Sequence, residues 1–91
     1  MLHLIAYDIA CGVRLRKVAA ICEDFGTRVE KSVFECDLDD KDFARMWERL
    51  SSTISPAEDC IIDYPIGLID SKRIRTLGRK MRCDRPTAYI F

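Results

Sequence analysis

A lone carboxylate closes an apolar run near the start of the chain, and basic residues follow it closely. In "LIAYDIACGVRLRK", Asp8 ends the run, and Arg14, Arg16 and Lys17 come soon after. An acid at the end of a buried strand must find water, a hydrogen bond or a cation. One carboxylate cannot build a dedicated Mg²⁺ cage. Mg²⁺ is nevertheless commonly held by one or two carboxylates together with waters and phosphate oxygens. A two-fold dimer would supply a second Asp8. A cation held in that way could activate water and neutralise charge at a phosphodiester. The plainer alternative is a capping or solvated aspartate. Basic residues at the start of a helix oppose its dipole, so Arg14, Arg16 and Lys17 invite a reason. Arginine forks match phosphate geometry, whereas a solvated face paired near Glu23 and Asp24 would need no ligand.

The remaining inventory is short. His3 is the sole histidine and sits inside the first apolar run, where a packed or edge histidine is expected and no Ser-His-Asp set surrounds it. Gly26, Gly67 and Gly78 do not form a phosphate-cradling loop. The basic-Gly-aromatic signature of an RNA-recognition sheet is absent. Five cysteines, Cys11, Cys22, Cys36, Cys60 and Cys83, include no C-x-x-C pair. They read as buried reduced thiols rather than a zinc site or disulfide framework.

The formal net charge is zero, but the charge is unevenly spread. Residues 71–86 carry seven bases (Lys72, Arg73, Arg75, Arg79, Lys80, Arg82 and Arg85) against Asp84 alone, while residues 30–63 carry ten acids against four bases. The basic stretch suits an anionic partner. Pairing of the two stretches, within one chain or across a dimer, would satisfy them equally.

These residues need a scaffold. Ninety-one residues, 48% apolar and 33% charged, suit one small domain spanning 1–91. No apolar run reaches membrane-spanning length, and the first residues lack a signal peptide's pattern, which points to the cytoplasm. Leu2–Ile9 reads as a central strand, apolar on both faces. Val13–Phe25 reads as a helix with Leu15, Val18, Cys22 and Phe25 in its apolar stripe, ended by Gly26 in the left-handed conformation. Thr27–Leu38 alternates on neither face cleanly, which suggests a kinked strand or one that changes its buried face midway. Asp39 caps a helix to Ile54 that carries Phe43, Met46, Trp47, Leu50 and Ile54 on one face. Cys60–Tyr64 reads as a strand that Pro65 ends, and a turn follows at Gly67. Arg73–Leu77 reads as a short strand, Lys80–Pro86 as a basic loop and Thr87–Phe91 as a final strand. The order, βαβαβ with extra strands, fits a ferredoxin-like α+β sandwich of βαββαβ type with an extra C-terminal strand.

Several of these segments together resemble one family. "YDI" (Tyr7–Ile9) closes the first strand, a basic cluster opens the first helix, and "FGTRVEKSVFECDL" (Phe25–Leu38) follows. "EDCIIDYPI" (Glu58–Ile66), Gly78 and a terminal "IF" complete the likeness. The chain resembles the small CRISPR-associated endoribonucleases of the Cas2 family, with Glu30 where the family commonly has Gln. The resemblance implies a ferredoxin-like homodimer in which residues 86–91 complete the partner's sheet. It implies a divalent cation, usually Mg²⁺, held at the dimer interface by Asp8. It further implies metal-dependent cleavage of RNA or DNA. A bridging role between CRISPR integrase dimers during spacer acquisition is implied too, with duplex DNA across the basic surface and single-stranded RNA as another substrate. On that reading Arg14, Arg16, Lys17, Arg73, Arg75, Arg79, Lys80 and Arg82 contact nucleic acid. The fold also hosts small-ligand regulatory modules, for which no apolar pocket signature is legible.

Overall fold

A computed structural model describes residues 1–78. Its elements are β1 (Leu2–Asp8), α1 (Gly12–Phe25), β2 (Thr27–Glu30), β3 (Val33–Asp37), α2 (Asp40–Thr53), β4 (Cys60–Ile66) and the single turn α3 (Leu68–Ser71). The four strands form one sheet in the order β2-β3-β1-β4, and each pairing is antiparallel. This is the βαββαβ order of the ferredoxin-like sandwich. The expected basic loop and final strand, 80–86 and 87–91, lie outside the described residues.

β1 is central because it is apolar on both faces. His3, Ile5 and Tyr7 point toward the helices and are buried, while Asp8 is exposed. Strand alternation places Leu4, Ala6 and Asp8 on the opposite face. Their register partners on β4 are Tyr64, Ile62 and Cys60, which share that open face. The core lies on the helix side and joins Ile5, Phe34 and Cys36 of the sheet to Val18, Ile21 and Cys22 of α1 and Met46 and Leu50 of α2. Phe43, Trp47 and Ile54 border it, as the α2 stripe predicts. Asp39 caps α2, its carboxylate accepting from the Asp42 amide at 2.8 Å.

Several expectations need correction. Leu15 is 40% exposed, and Ile21 takes the inward position in α1 beside Val18 and Cys22. Gly26 is extended, not left-handed. Glycine is required there by close approach, since a Cβ would collide with the Glu35 carbonyl oxygen and Cys36 Sγ. Thr27–Leu38 is a hairpin turning at Lys31 and Ser32, with a register shift between Arg28 and Glu30. The bulge and the reversal explain why neither face alternates cleanly. β4 runs through Pro65, which stands opposite His3. A proline is tolerated because β4 is an outer strand among the described residues, where its nitrogen can face away from the ladder. Arg73–Leu77 forms no strand. Of the cysteines, Cys22 and Cys36 are buried, Cys11 is half-buried and Cys60 is exposed, and none of the four forms a disulfide among the described residues. Cys83 lies outside the described residues.

Candidate metal and nucleic-acid site

The C-terminal end of β1 gathers the site residues that the fold brings together. Asp8 stands exposed on the open face, opposite Cys60 at the start of β4. Among the described residues its carboxylate has neither hydrogen bond nor ion pair. Three residues, Ile9 to Cys11, then connect β1 to α1. Cys11 occupies the N-cap position of α1, and the Arg14 and Val13 amides there lower its thiol pKa.

The three basic residues of this end have different fates. Arg14 is turned inward. Its Nε donates to Asp59 Oδ2 at 2.7 Å, and its Nη2 donates to Asp59 Oδ1 at 3.2 Å and to Glu58 Oε1 at 3.0 Å. Arg16 and Lys17 are exposed and have no carboxylate partner among the described residues. Lys17 lies along the shallow groove between α1 and α2, with Glu48 and Arg49 on the far wall.

Asp59 is the residue that sequence reasoning missed. Its side chain is 0% exposed, yet both oxygens are satisfied. Besides Arg14, the Ala10 amide donates to Oδ1 at 2.9 Å and the Ser55 amide donates to Oδ2 at 2.8 Å. The Arg14 fork holds the Asp59 carboxyl well below the usual carboxylate range; burial opposes that shift, and the two amides add to it. The same hydrogen bond raises the Arg14 guanidinium above its ordinary value. The only sequence signal was indirect: a basic residue in the first turn of a helix that has no acid there, with the acids Glu58 and Asp59 just before an apolar strand.

His3 is not a base at this site. Its Nδ1 lies 2.8 Å from Asp63 Oδ1, and its ring stacks on Phe43 with centroids 4.2 Å apart. That is the packed histidine expected. Arg73 and Arg75 are exposed; Arg73 lies 3.7 Å from Asp70. β4 runs antiparallel to β1, so the chain reaches them from the Leu2 end of the sheet, opposite Asp8. Arg79, Lys80 and Arg82 lie outside the described residues.

A divalent cation can be tested against this donor set. Among the described residues no three His, Cys, Asp or Glu side chains gather as a metal cage. Asp8 offers one hard, accessible, uncommitted carboxylate, which suits Mg²⁺ as half of a shared site.

The family described as CRISPR associated protein Cas2 matches residues 1–75. The chain belongs to the Cas2 family. A CRISPR-associated endoribonuclease Cas2 of Nitratidesulfovibrio vulgaris is 36% identical over 89 residues, covering 92% of this chain and 87% of its own. A CRISPR-associated endonuclease Cas2 of Halalkalibacterium halodurans is 34% identical, with both chains covered in full. The crystal structure of Streptococcus pyogenes Cas2 superposes with a TM-score of 0.76 at 37% identity, covering 86% of this chain and 100% of that one. The fold described above is therefore similar to that of the Streptococcus pyogenes protein over most of this chain. No helix among the described residues is long and apolar enough to cross a membrane.

Proposed function

We propose that this Cas2 chain acts as a homodimer that cleaves phosphodiester bonds of RNA or DNA with a divalent cation. Asp8 of each copy would hold the cation, Mg²⁺ in the first instance. When bound, the ion supplies charge neutralisation and water activation at the scissile phosphate. The observation that carries the reading is the Asp8 carboxylate: exposed, without a partner among the described residues, and placed at the end of the central strand. Arg16 and Lys17, on the helix side of the sheet, bind backbone phosphates and add to the hold on the nucleic acid. Arg73 and Arg75, with Arg79, Lys80 and Arg82, extend the basic sequence available to nucleic acid. The open face supports the two-copy reading, because Ile62 and Tyr64 on it are 42% and 49% exposed.

A cleavage assay on single-stranded RNA and duplex DNA tests this reading. Wild type should cut with Mg²⁺ and stop with chelator, and Asp8→Ala or Asp8→Asn should stay inactive while folded. Cleavage by purified Asp8→Ala equal to wild type would sink the role of Asp8.

A second reading rests on Arg16 and Lys17, which have no carboxylate partner among the described residues, an observation that does not depend on a metal. The homodimer then carries duplex DNA as an architectural element between CRISPR integrase dimers. Duplex binding should persist in chelator and weaken steeply with salt. Arg16→Glu with Lys17→Glu should weaken both binding and spacer integration, leaving Asp8 untouched. Binding that is indifferent to salt and to those changes rules this reading out.

A further inference from the structure

We propose that Asp59 is a positioning residue that aims Asp8 by locking the loop that follows it, with Arg14 as its lever. This rests on the metal-dependent reading of Asp8. Asp59 precedes Cys60, the register partner of Asp8, so alternation turns the two aspartates to opposite faces of the sheet. Asp59 cannot share a ligand with Asp8 across the sheet and acts through the backbone instead. Its Oδ1 accepts from Ala10 at 2.9 Å, the middle residue of the three-residue loop that leaves Asp8. Its Oδ2 accepts from Arg14 Nε at 2.7 Å, in the first turn beyond the loop. The Ser55 amide at 2.8 Å fixes the carboxylate from a third segment. The loop is therefore held at its centre and at its far side by one buried group.

The geometry also divides the basic cluster. Helix residues are spaced by about 100°, so Arg16 is turned well away from the Arg14 face, while Lys17, about 60° from Arg14, lines the groove toward α2 instead of Asp59. Among the described residues, only Nη1 of Arg14 has no carboxylate contact. Arg14 thus holds the helix start, and the phosphates fall to its two neighbours. An Arg14/Asp59 charge swap would not restore the site, because the Ala10 and Ser55 amides need an acceptor where Asp59 stands.

The test uses the full chain, with Mn²⁺ alone as the metal probe and chelator-treated duplex DNA as the second ligand. Asp59→Asn should raise the half-saturating Mn²⁺ concentration, read by electron paramagnetic resonance, by about tenfold, the scale of lost supporting hydrogen bonds. Measured well below the unfolding temperature, that affinity is not moved by a merely stabilising residue. Arg14→Lys keeps the charge but loses the fork, and should shift it in the same direction; it decides alone if Asp59→Asn does not fold. In chelator, Arg14→Gln should leave the salt slope of DNA binding at the wild-type value. A slope lowered by about 0.9 would mean that Arg14 contacts a phosphate, and would overturn the assignment. Unchanged Mn²⁺ affinity in the folded variants overturns it as well, provided Asp8→Ala loses the metal. Retention of Mn²⁺ by Asp8→Ala instead overturns the metal reading, and the positioning role with it.

Discussion

Two aspartates stand at the same end of the sheet, one residue apart in register, and have opposite surroundings. Asp59 is buried and takes hydrogen bonds from Arg14, Ala10 and Ser55. Asp8 is exposed and takes none among the described residues. A buried carboxylate persists only when its oxygens are satisfied, because desolvation without partners is costly. An exposed one at the end of a central strand costs the fold little and remains available to a ligand. One carboxylate therefore serves the fold and the other serves chemistry, although the sequence presents both as an acid beside an apolar strand.

The widest separation between them comes from alanine. Asp8→Ala should lose metal-dependent cleavage by more than the roughly 10–100-fold that a lost supporting hydrogen bond costs a metal site. Its Tm should stay within about 2 °C of wild type, as for other surface substitutions. Asp59→Ala should instead lower Tm by roughly 5–15 °C, because it leaves Arg14 and two amides without their acceptor. Cleavage rates and thermal melts of the two variants check the pair; equal melts would collapse the distinction.

Acid sharpens the contrast next. The folded-state pKa of Asp59 is depressed by Arg14. The unfolded chain therefore takes up a proton first as pH falls. The stabilisation is complete above the ordinary carboxylate value of about 4 and is lost progressively below it. Acid unfolding followed by circular dichroism should show a limb below about pH 4 that is flatter in Asp59→Asn. A wild-type limb in Asp59→Asn would show that other carboxylates dominate.

The thiols repeat the pattern more weakly. Cys22 is fully buried, and burial pushes its pKa up to about 12, with Cys36 adding to the shift. Cys60 is exposed across from Asp8. The thiolate of Cys22 is excluded from the fold, so stability should fall as pH rises from about 9 toward 12. At neutral pH a maleimide should label Cys60 in the native chain at least ~10-fold faster than Cys22, which waits for unfolding. Mass spectrometry of the labelled peptides reads the ratio, and comparable rates would show that the core opens readily around α1.

How much of this was legible follows from the range of each interaction. The Asp39 cap and the α2 stripe are local, within one or two turns, so the sequence announces them. The central strand is visible because its burial on both faces leaves an apolar run. Gly26 was seen as a helix stop, but its reason, the approach of β3 around Glu35 and Cys36, is tertiary. The Thr27–Leu38 hairpin lacked a Gly or Pro at its turn, and a bulge blurred its period, so only a kink could be inferred. Asp8 and the cluster after it were identified by chemistry. What could not be read was that Arg14 belongs to Asp59, 45 residues away. Charge pairing at that distance leaves no spacing pattern, only the oddity of a base where a helix prefers an acid.

The smallest effect expected is also the one that separates Arg16 and Lys17 from Arg73 on solution evidence alone. Each phosphate neutralised by a protein cation contributes about 0.9 to the slope of log K against log salt for duplex DNA. Lys17→Gln and Arg16→Gln should each flatten that slope by about this amount and weaken binding across sequences uniformly, since phosphate contacts carry no base information. Arg73→Gln should change it less, because Asp70 already stands 3.7 Å from that guanidinium and an exposed pair competes with the phosphate. A salt titration of the three variants in chelator measures the slopes without any demand on Asp8. Equal slopes in all three would spread the phosphate contacts over both ends of the sheet, and the division between a basic pair beside Asp8 and a separate basic tail would no longer stand.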